Sequence, residues 1–351
     1  MNSILNRYKE LLCDQSGILA IDSEMNHQAE DVLRTEEEQR SMIHKLAEAI
    51  RACPQVLLLG MGASHFVNEV FAFQIRKNGI DAIAMTASEF LYDPIPVKGK
   101  IVILTSQSGE SAETVKCMNI LDKTVASVYS VTLTKESTIA KGTQALVCSG
   151  GGEKAFAGTR SVTLSIAAFA FVAAELSELD SSQVEIAVRT ELLNQESIEK
   201  AVWLLYAKQT IIATGRGLFS PLSNLFALGC EELGTKVVLC NESGTFRHGP
   251  MEVLDSGTAL VVFRQSGPLG KLCESFNEVQ AKSNCTLIVI DASGMEPLEN
   301  ASVTIPCPQG EDIIAVLGAM NTFQTLMIAY ACGKNPRTGL PRYGSKVTRT
   351  E

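Results

Sequence analysis

The sequence predicts an α/β protein made of two tandem units, each a parallel sheet flanked by helices. Three observations carry this. Short apolar runs ending in glycine or serine alternate with helical patterns, and the arrangement recurs along the chain. In addition, 351 residues at 46% hydrophobic composition are about twice the usual domain length of roughly 150 residues, enough for two cores.

Taken in order, residues 1–52 carry a mostly helical pattern and are expected to pack on the first domain. Val56-Leu57-Leu58-Leu59-Gly60 reads as a strand closing in a tight turn, with a helix over 64–77 and a second strand at 82–85. A third strand, Ile101-Val102-Ile103-Leu104, runs into Ser106-Gln107-Ser108-Gly109-Glu110-Ser111, then a helix to Leu121 and a strand at 126–131. This alternation implies parallel pairing, because a parallel neighbour needs a crossover long enough to hold a helix. Helices are predicted at 161–180 and 194–207, with Ser181-Ser182 as a linker turn. The order then repeats: 210–214 runs into Gly215-Arg216-Gly217, and 259–263 into Arg264-Gln265-Ser266-Gly267. The offsets are 155 (217 minus 62) and 158 (267 minus 109), so the chain reads as two copies of one unit. The expected boundaries are 53–180 for the first domain, 181–335 for the second and 336–351 for a C-terminal tail.

Several function classes are disfavoured. The net charge of -9 is spread without a basic stripe or aromatic-interleaved Lys/Arg patch, so nucleic acid is not an expected partner. The first twelve residues are polar and mixed in charge, unlike a signal peptide, which points to the cytoplasm. Residues 162–176 form the most lipid-like stretch noted, but they carry Thr163 and Ser165 and meet Glu175; a buried helix is expected there, not a membrane span. Ten cysteines without a CxxC pair read as reduced core residues, and four histidines without ligand spacing give no metal site. The glycine turns at 60–62 and 215–217 do not complete GxGxxG, since His65 and Ser220 stand in the last position; no cofactor is expected.

Four segments carry chemistry. In the serine loop, three serines and a glutamine crowd a strand-to-helix turn, where free amide N–H groups and the helix dipole attract an anion. A helix cap needs only one such hydroxyl, so the crowding points to a phosphate cradle, with Ser64 at the neighbouring strand end as a further contact. The later copy, Arg264-Gln265-Ser266-Gly267-Pro268, keeps one serine, which limits the chain to one phosphate site, in the first domain. Glu232 shares a helical stripe with Leu225 and Leu228 and lies in the last turn before Gly234, where the dipole disfavours negative charge. The residues alone leave two readings, a general base or one half of a buried ion pair. His248, in Gly244-Thr245-Phe246-Arg247-His248-Gly249-Pro250, is either a surface histidine or one displayed by a glycine-flanked loop. Lys346 is either a solvated tail residue or a functional one.

Together, Ser106-Gln107-Ser108-Gly109-Glu110, residues 153–163, Arg247-His248-Gly249-Pro250 and Lys346-Val347-Thr348 resemble the sugar isomerase (SIS) domain family. The resemblance is to the double-SIS isomerase half of glutamine:fructose-6-phosphate aminotransferase and to amino-sugar-phosphate deaminases and deglycases, and it runs from about Asn26 onward. It implies two flavodoxin-like domains and an active site shared between the subunits of a homodimer. Carried over by position, it implies that Ser64, Ser106, Gln107, Ser108 and Ser111 hold the phosphate. Glu232 is then the base between C1 and C2, His248 the ring-opening histidine given across the dimer interface, and Lys346 the lysine that reaches the sugar carbonyl.

The chain departs from the aminotransferase at Gly229, where that enzyme has a lysine, at Thr245, where it has an acid, and at Phe156, where a smaller residue contacts the sugar. The chain, opening at Met1-Asn2, is expected to lack the aminotransferase's glutaminase domain, so ammonia from glutamine is not expected. The implied activity is deaminase or deglycase chemistry on a 6-phosphorylated amino sugar or ketosamine. Simple isomerisation is the near alternative and a non-catalytic sugar-phosphate sensor the distant one.

Overall fold

Strands β1 (Gln55–Gly60) and β3 (Ile101–Thr105) are almost wholly buried, as strands covered on both faces must be. The computed structural model describes residues 3–121, 127–177 and 179–350. The chain divides into two compact units, Glu24–Val188 with Tyr343–Glu351, and Met1–Ser23 with Arg189–Arg342.

In the first unit, β1, β3, β2 (Asp81–Thr86), β4 (Ser127–Thr132) and β5 (Gln144–Val147) form one parallel sheet in the order β2-β1-β3-β4-β5. One face carries a core of Leu57, Leu59, Phe90, Val102, Leu104, Cys117 and Ile139 under the helices Ala87–Tyr92, Ala112–Ile120 and Thr138–Gly142. The helices Gln28–Ala52, Ala63–Arg76 and Arg160–Leu176 pack together as a second layer. The order is the flavodoxin-like one, and its switch point lies between β1 and β3, where the strand order reverses and a crevice opens at the carboxyl ends. The Ser64 turn and the serine loop are the two loops that leave those strand ends.

The second unit repeats the plan with β6 (Thr210–Gly215), β7 (Val238–Glu242), β8 (Thr258–Arg264), β9 (Thr286–Asp291) and β10 (Val303–Pro306), in the order β10-β9-β8-β6-β7. The register reproduces the offsets read from the glycines. Gly60 pairs with Thr105 and Gly215 with Phe263, which are 155 (215 minus 60) and 158 (263 minus 105) residues apart.

Residues 1–52 do not form one segment on the first domain. Ile4, Leu5, Ile18 and Ile21 are fully buried, and the helix Ser3–Tyr8 packs on Ile313–Cys332, so the chain up to Ser23 belongs to the second unit. An amphipathic pattern shows that a face is covered but not by what. Likewise the division after the first domain falls at Val188, within the helix Ser182–Arg189, and the tail divides at Arg342. Among the described residues Ile313–Cys332, not 162–176, is the helix long and apolar enough to cross a membrane by length and composition; 94% of its most apolar 18-residue window is buried, as in a core helix. The predicted start of β4 at Ala126 lies outside the described residues.

Candidate active site

The serine loop is held by its own backbone. Gly109 takes φ of 64°, which favours glycine, and a Cβ there would collide with the Ser137 side chain. The Gly109 amide donates to Ser106 Oγ at 3.2 Å and the Glu110 amide to Ser108 Oγ at 3.2 Å. Each hydroxyl oxygen therefore already accepts; Ser108 keeps its O–H for an oxyanion, and Ser106 and Ser111, bonded to each other, keep one O–H between them. Ser106 Oγ and Ser111 Oγ stand 3.2 Å apart, and Ser111, although it is the N-cap residue of Ala112–Ile120, makes no side-chain cap bond. The Gln107 carbonyl accepts from the Leu133 amide, fixing the turn against the end of β4. The one acid of the loop, Glu110, is bound at Thr138, where its carboxylate accepts from the amide at 2.7 Å and the hydroxyl at 2.9 Å.

In the second unit the equivalent place is closed. Sliding by 158 residues puts Arg264 where Ser106 stands and Leu269 where Ser111 stands. The Arg264 side chain is 1% exposed; it donates to Asp291 at 3.1 Å, to the Glu296 carbonyl at 2.8 Å and to the Gly270 carbonyl at 3.1 Å. A buried guanidinium bonded to a carboxylate thus stands where the first unit has Ser106.

The C-terminal tail belongs with the serine loop. Lys346 Nζ donates to Glu153 Oε2 at 3.1 Å and to the Phe156 carbonyl at 3.2 Å, and the Phe156 ring lies beside Gly344. Two residues on, the Thr348 carbonyl accepts from the amide of Ala112, the first residue of the serine-loop helix, at 3.0 Å. Lys346 thus lies within roughly 7 Å of the residue that touches that helix end, from the reach of two extended residues. The segment it meets is fixed from below by buried Arg160, which donates to Glu24 at 2.6 Å, Asp31 at 2.8 Å and the Gly151 carbonyl at 2.8 Å. Burial opposes the Glu24 charge, but the Lys154 amide and Arg160 outweigh it and hold its carboxyl below the ordinary range.

Glu232 and His248 belong to the second unit. Glu232, half-buried, ends the helix Phe219–Glu232, and its neighbour Glu231 accepts from the amide of Val238 at the start of β7. His248, exposed, follows the short helix Ser243–Phe246 at the other end of β7. That helix is capped by Glu242, which also binds Arg216 at 2.9 Å, and is anchored by fully buried Phe246. Five strand residues, roughly 17 Å, separate the two ends. Glu232 and His248 therefore flank opposite ends of β7. At Gly229 a Cβ would meet the thioether end of Met327, so a side chain there requires that methionine to move; Thr245 is exposed and donates its amide to Glu242.

Glu153 and Arg160 lie in the 153–163 segment quoted above, but the sequence alone gives them no role of their own, since their charged partners, Lys346 for Glu153 and Glu24 and Asp31 for Arg160, lie more than 100 positions away. Sequence reasoning also passed over the pair His65 and Glu69 beside Ser64. Burial lowers the His65 pKa against a hydrogen bond to the Met85 backbone, and burial raises that of Glu69.

Residues 49–174 and 204–332 match the SIS domain, one region in each unit. Over 315 residues the chain is 26% identical to glutamine–fructose-6-phosphate aminotransferase (isomerizing) of Sulfurisphaera tokodaii, covering 88% of this chain and 52% of that protein. It is 22% identical to the Zymomonas mobilis counterpart, covering 85% and 52%, so it spans about half the length of these relatives. Among solved structures, the C-terminal domain of glucosamine-fructose-6-phosphate aminotransferase from Francisella tularensis aligns with a TM-score of 0.78 over 92% of this chain and 98% of that one, at 19% identity. Glucosamine-6-phosphate deaminase from Thermotoga maritima aligns at 0.68 over 91% and 98%, also at 19% identity. Likeness at that identity shows the fold, and the match over both units shows the family: the chain belongs to the SIS domain family, with two tandem copies of the domain.

Proposed function

We propose that the protein is a sugar-phosphate enzyme that opens the ring of a 6-phosphorylated amino sugar or ketosamine, moves a proton between C1 and C2, and releases ammonia or an amine. The observation that carries this reading is the serine loop, whose hydroxyl oxygens accept backbone amides, together with the C-terminal tail, where the Thr348 carbonyl accepts from Ala112 at the start of the loop's helix and Lys346 is tethered to Glu153. Ser64, Ser106, Gln107, Ser108 and Ser111 hold the phosphate, and the Lys346 ammonium draws electron density from the open-chain carbonyl. Glu232 takes the proton from one carbon and returns it to the other, which converts a carbon bearing nitrogen into an imine that water hydrolyses. His248 comes from a second subunit, in keeping with its place at the far end of β7 from Glu232. All ten cysteines are free, in keeping with a cytoplasmic enzyme.

The same groups also serve simple isomerisation, in which no nitrogen leaves. Incubation with glucosamine 6-phosphate, fructosamine-type 6-phosphates and fructose 6-phosphate separates the readings. Release of ammonia or amine is the expected result. Interconversion of fructose 6-phosphate alone would make the protein an isomerase, and binding without turnover of any of them would make it a sensor.

A further inference from the structure

We propose that Glu153 is the positioning residue for Lys346: its buried carboxylate holds the ammonium in place and leaves one N–H for the substrate. The proposal rests on the reading of Lys346 as an active-site group.

The Glu153 side chain is fully buried. Its Oε1 accepts from the Thr159 amide at 2.8 Å, the Thr159 hydroxyl at 3.0 Å and the Arg160 amide at 2.8 Å; its Oε2 accepts from the Ser161 hydroxyl and from Lys346. Four of these five donors are neutral and lie within eight residues of Glu153, so the carboxylate is fixed in space by its own loop. Burying a carboxylate is costly unless it also meets a charge. The nearest guanidinium, that of Arg160, is committed to Glu24 and Asp31. Among the described residues Lys346 is the cation that forms an ion pair with Glu153, across 193 positions of sequence.

An ammonium carries three N–H donors. Glu153 and the Phe156 carbonyl take two, and the side chain keeps 24% exposure. The third donor is thereby left for a carbonyl oxygen in the crevice. The bond between Thr348 and Ala112 prevents the tail from pivoting about this contact. Glutamine at 153 keeps the size and one acceptor oxygen but removes the charge and the acceptor facing Lys346.

A mutant cycle of wild type, Glu153→Gln, Lys346→Met and the double variant tests this, with kcat, KM and thermal midpoint measured for each. Glu153→Gln is expected to lower kcat by about 100-fold with little change in KM, the usual scale for misplacing a reacting group by an ångström. In the Lys346→Met background the same change should have almost no further effect. An equal loss in both backgrounds would show that Glu153 acts through the loop and not through the lysine, and would overturn the proposal. Amide hydrogen exchange of residues 343–350 gives a reading independent of substrate and of whether Glu153→Gln folds. Lys346→Met should exchange faster there than wild type, and unchanged protection overturns the pairing. Faster exchange together with a wild type that turns over none of the sugars would instead sink the proposed activity, and with it the role of Glu153 at the sugar.

Discussion

At Ser106 and Ser108 the hydroxyl oxygens already accept backbone amides, so alanine at either position removes a donor to the ligand and a brace of the loop together. A hydrogen bond to a charged group contributes about 1.5–3 kcal/mol, so Ser106→Ala should weaken binding of a sugar phosphate by roughly 10- to 150-fold. Calorimetric titration with fructose 6-phosphate checks this, and inorganic phosphate should lose affinity in parallel. The proposed cradle could be picked out in the sequence because three hydroxyls in six residues exceed what a helix cap uses. Glu153 was not, because its meaning depends on a lysine 193 residues away. For Glu232, the stripe with Leu225 and Leu228 marked an odd place for a carboxylate, and only the family resemblance favoured the base over the ion pair.

At the scale of elements, the glycine turns gave the offsets 155 and 158, and the sheet registers reproduce both, because a tight strand-to-helix turn fixes glycine to a strand end. Four strands were not read from the sequence: β5 and β10, four residues each and too short to show a period, and β7 and β9, which lie beyond the two segments of the second unit that were named. The depleted second loop was recognised, but the device that closes it was not. Arg264 looks like an exposed turn residue until β9 brings Asp291 against it. Arg264→Met should destabilise the second unit by about 3–5 kcal/mol, because it leaves a buried carboxylate unpaired, without altering sugar-phosphate affinity. Urea unfolding beside a binding titration measures both. Adding Asp291→Leu should restore most of the stability.

For the molecule as a whole, a carboxylate in each unit, Glu24 and Glu242, is held below its ordinary value of 4.5. For Glu242, burial opposes the charge, but the amides of Gly244 and Thr245 and the guanidinium of Arg216 outweigh it. Their stabilisation is fully present above about pH 4.5 and is lost as pH falls through the lower folded values, because the unfolded chain takes up the protons first. Glu69 has the opposite sign, raised by burial, so its effect falls as pH rises past 4.5 and does not alter the acid side. Thermal midpoints should therefore decline on acidification below about pH 4.5.

Under the proposed function, with His248 given by a second subunit of a dimer, subunit complementation is expected. Glu232→Gln and His248→Ala proteins, each inactive alone, should regain about a quarter of wild-type activity when their subunits are unfolded and reassembled together, since a hybrid dimer has one intact site. No recovery would place both residues of a site in one chain.

Under the proposed function, Glu232 transfers a proton between C1 and C2 of a sugar bound through its phosphate. The most direct measurement is hydrogen exchange in deuterated water, with nuclear magnetic resonance following C1 and C2 of a 6-phosphorylated sugar that the wild type turns over. Wild type should incorporate deuterium, and Glu232→Gln should lower the rate by roughly 100- to 10,000-fold while binding the same sugar phosphate unchanged. Exchange at the wild-type rate in Glu232→Gln would contradict the account.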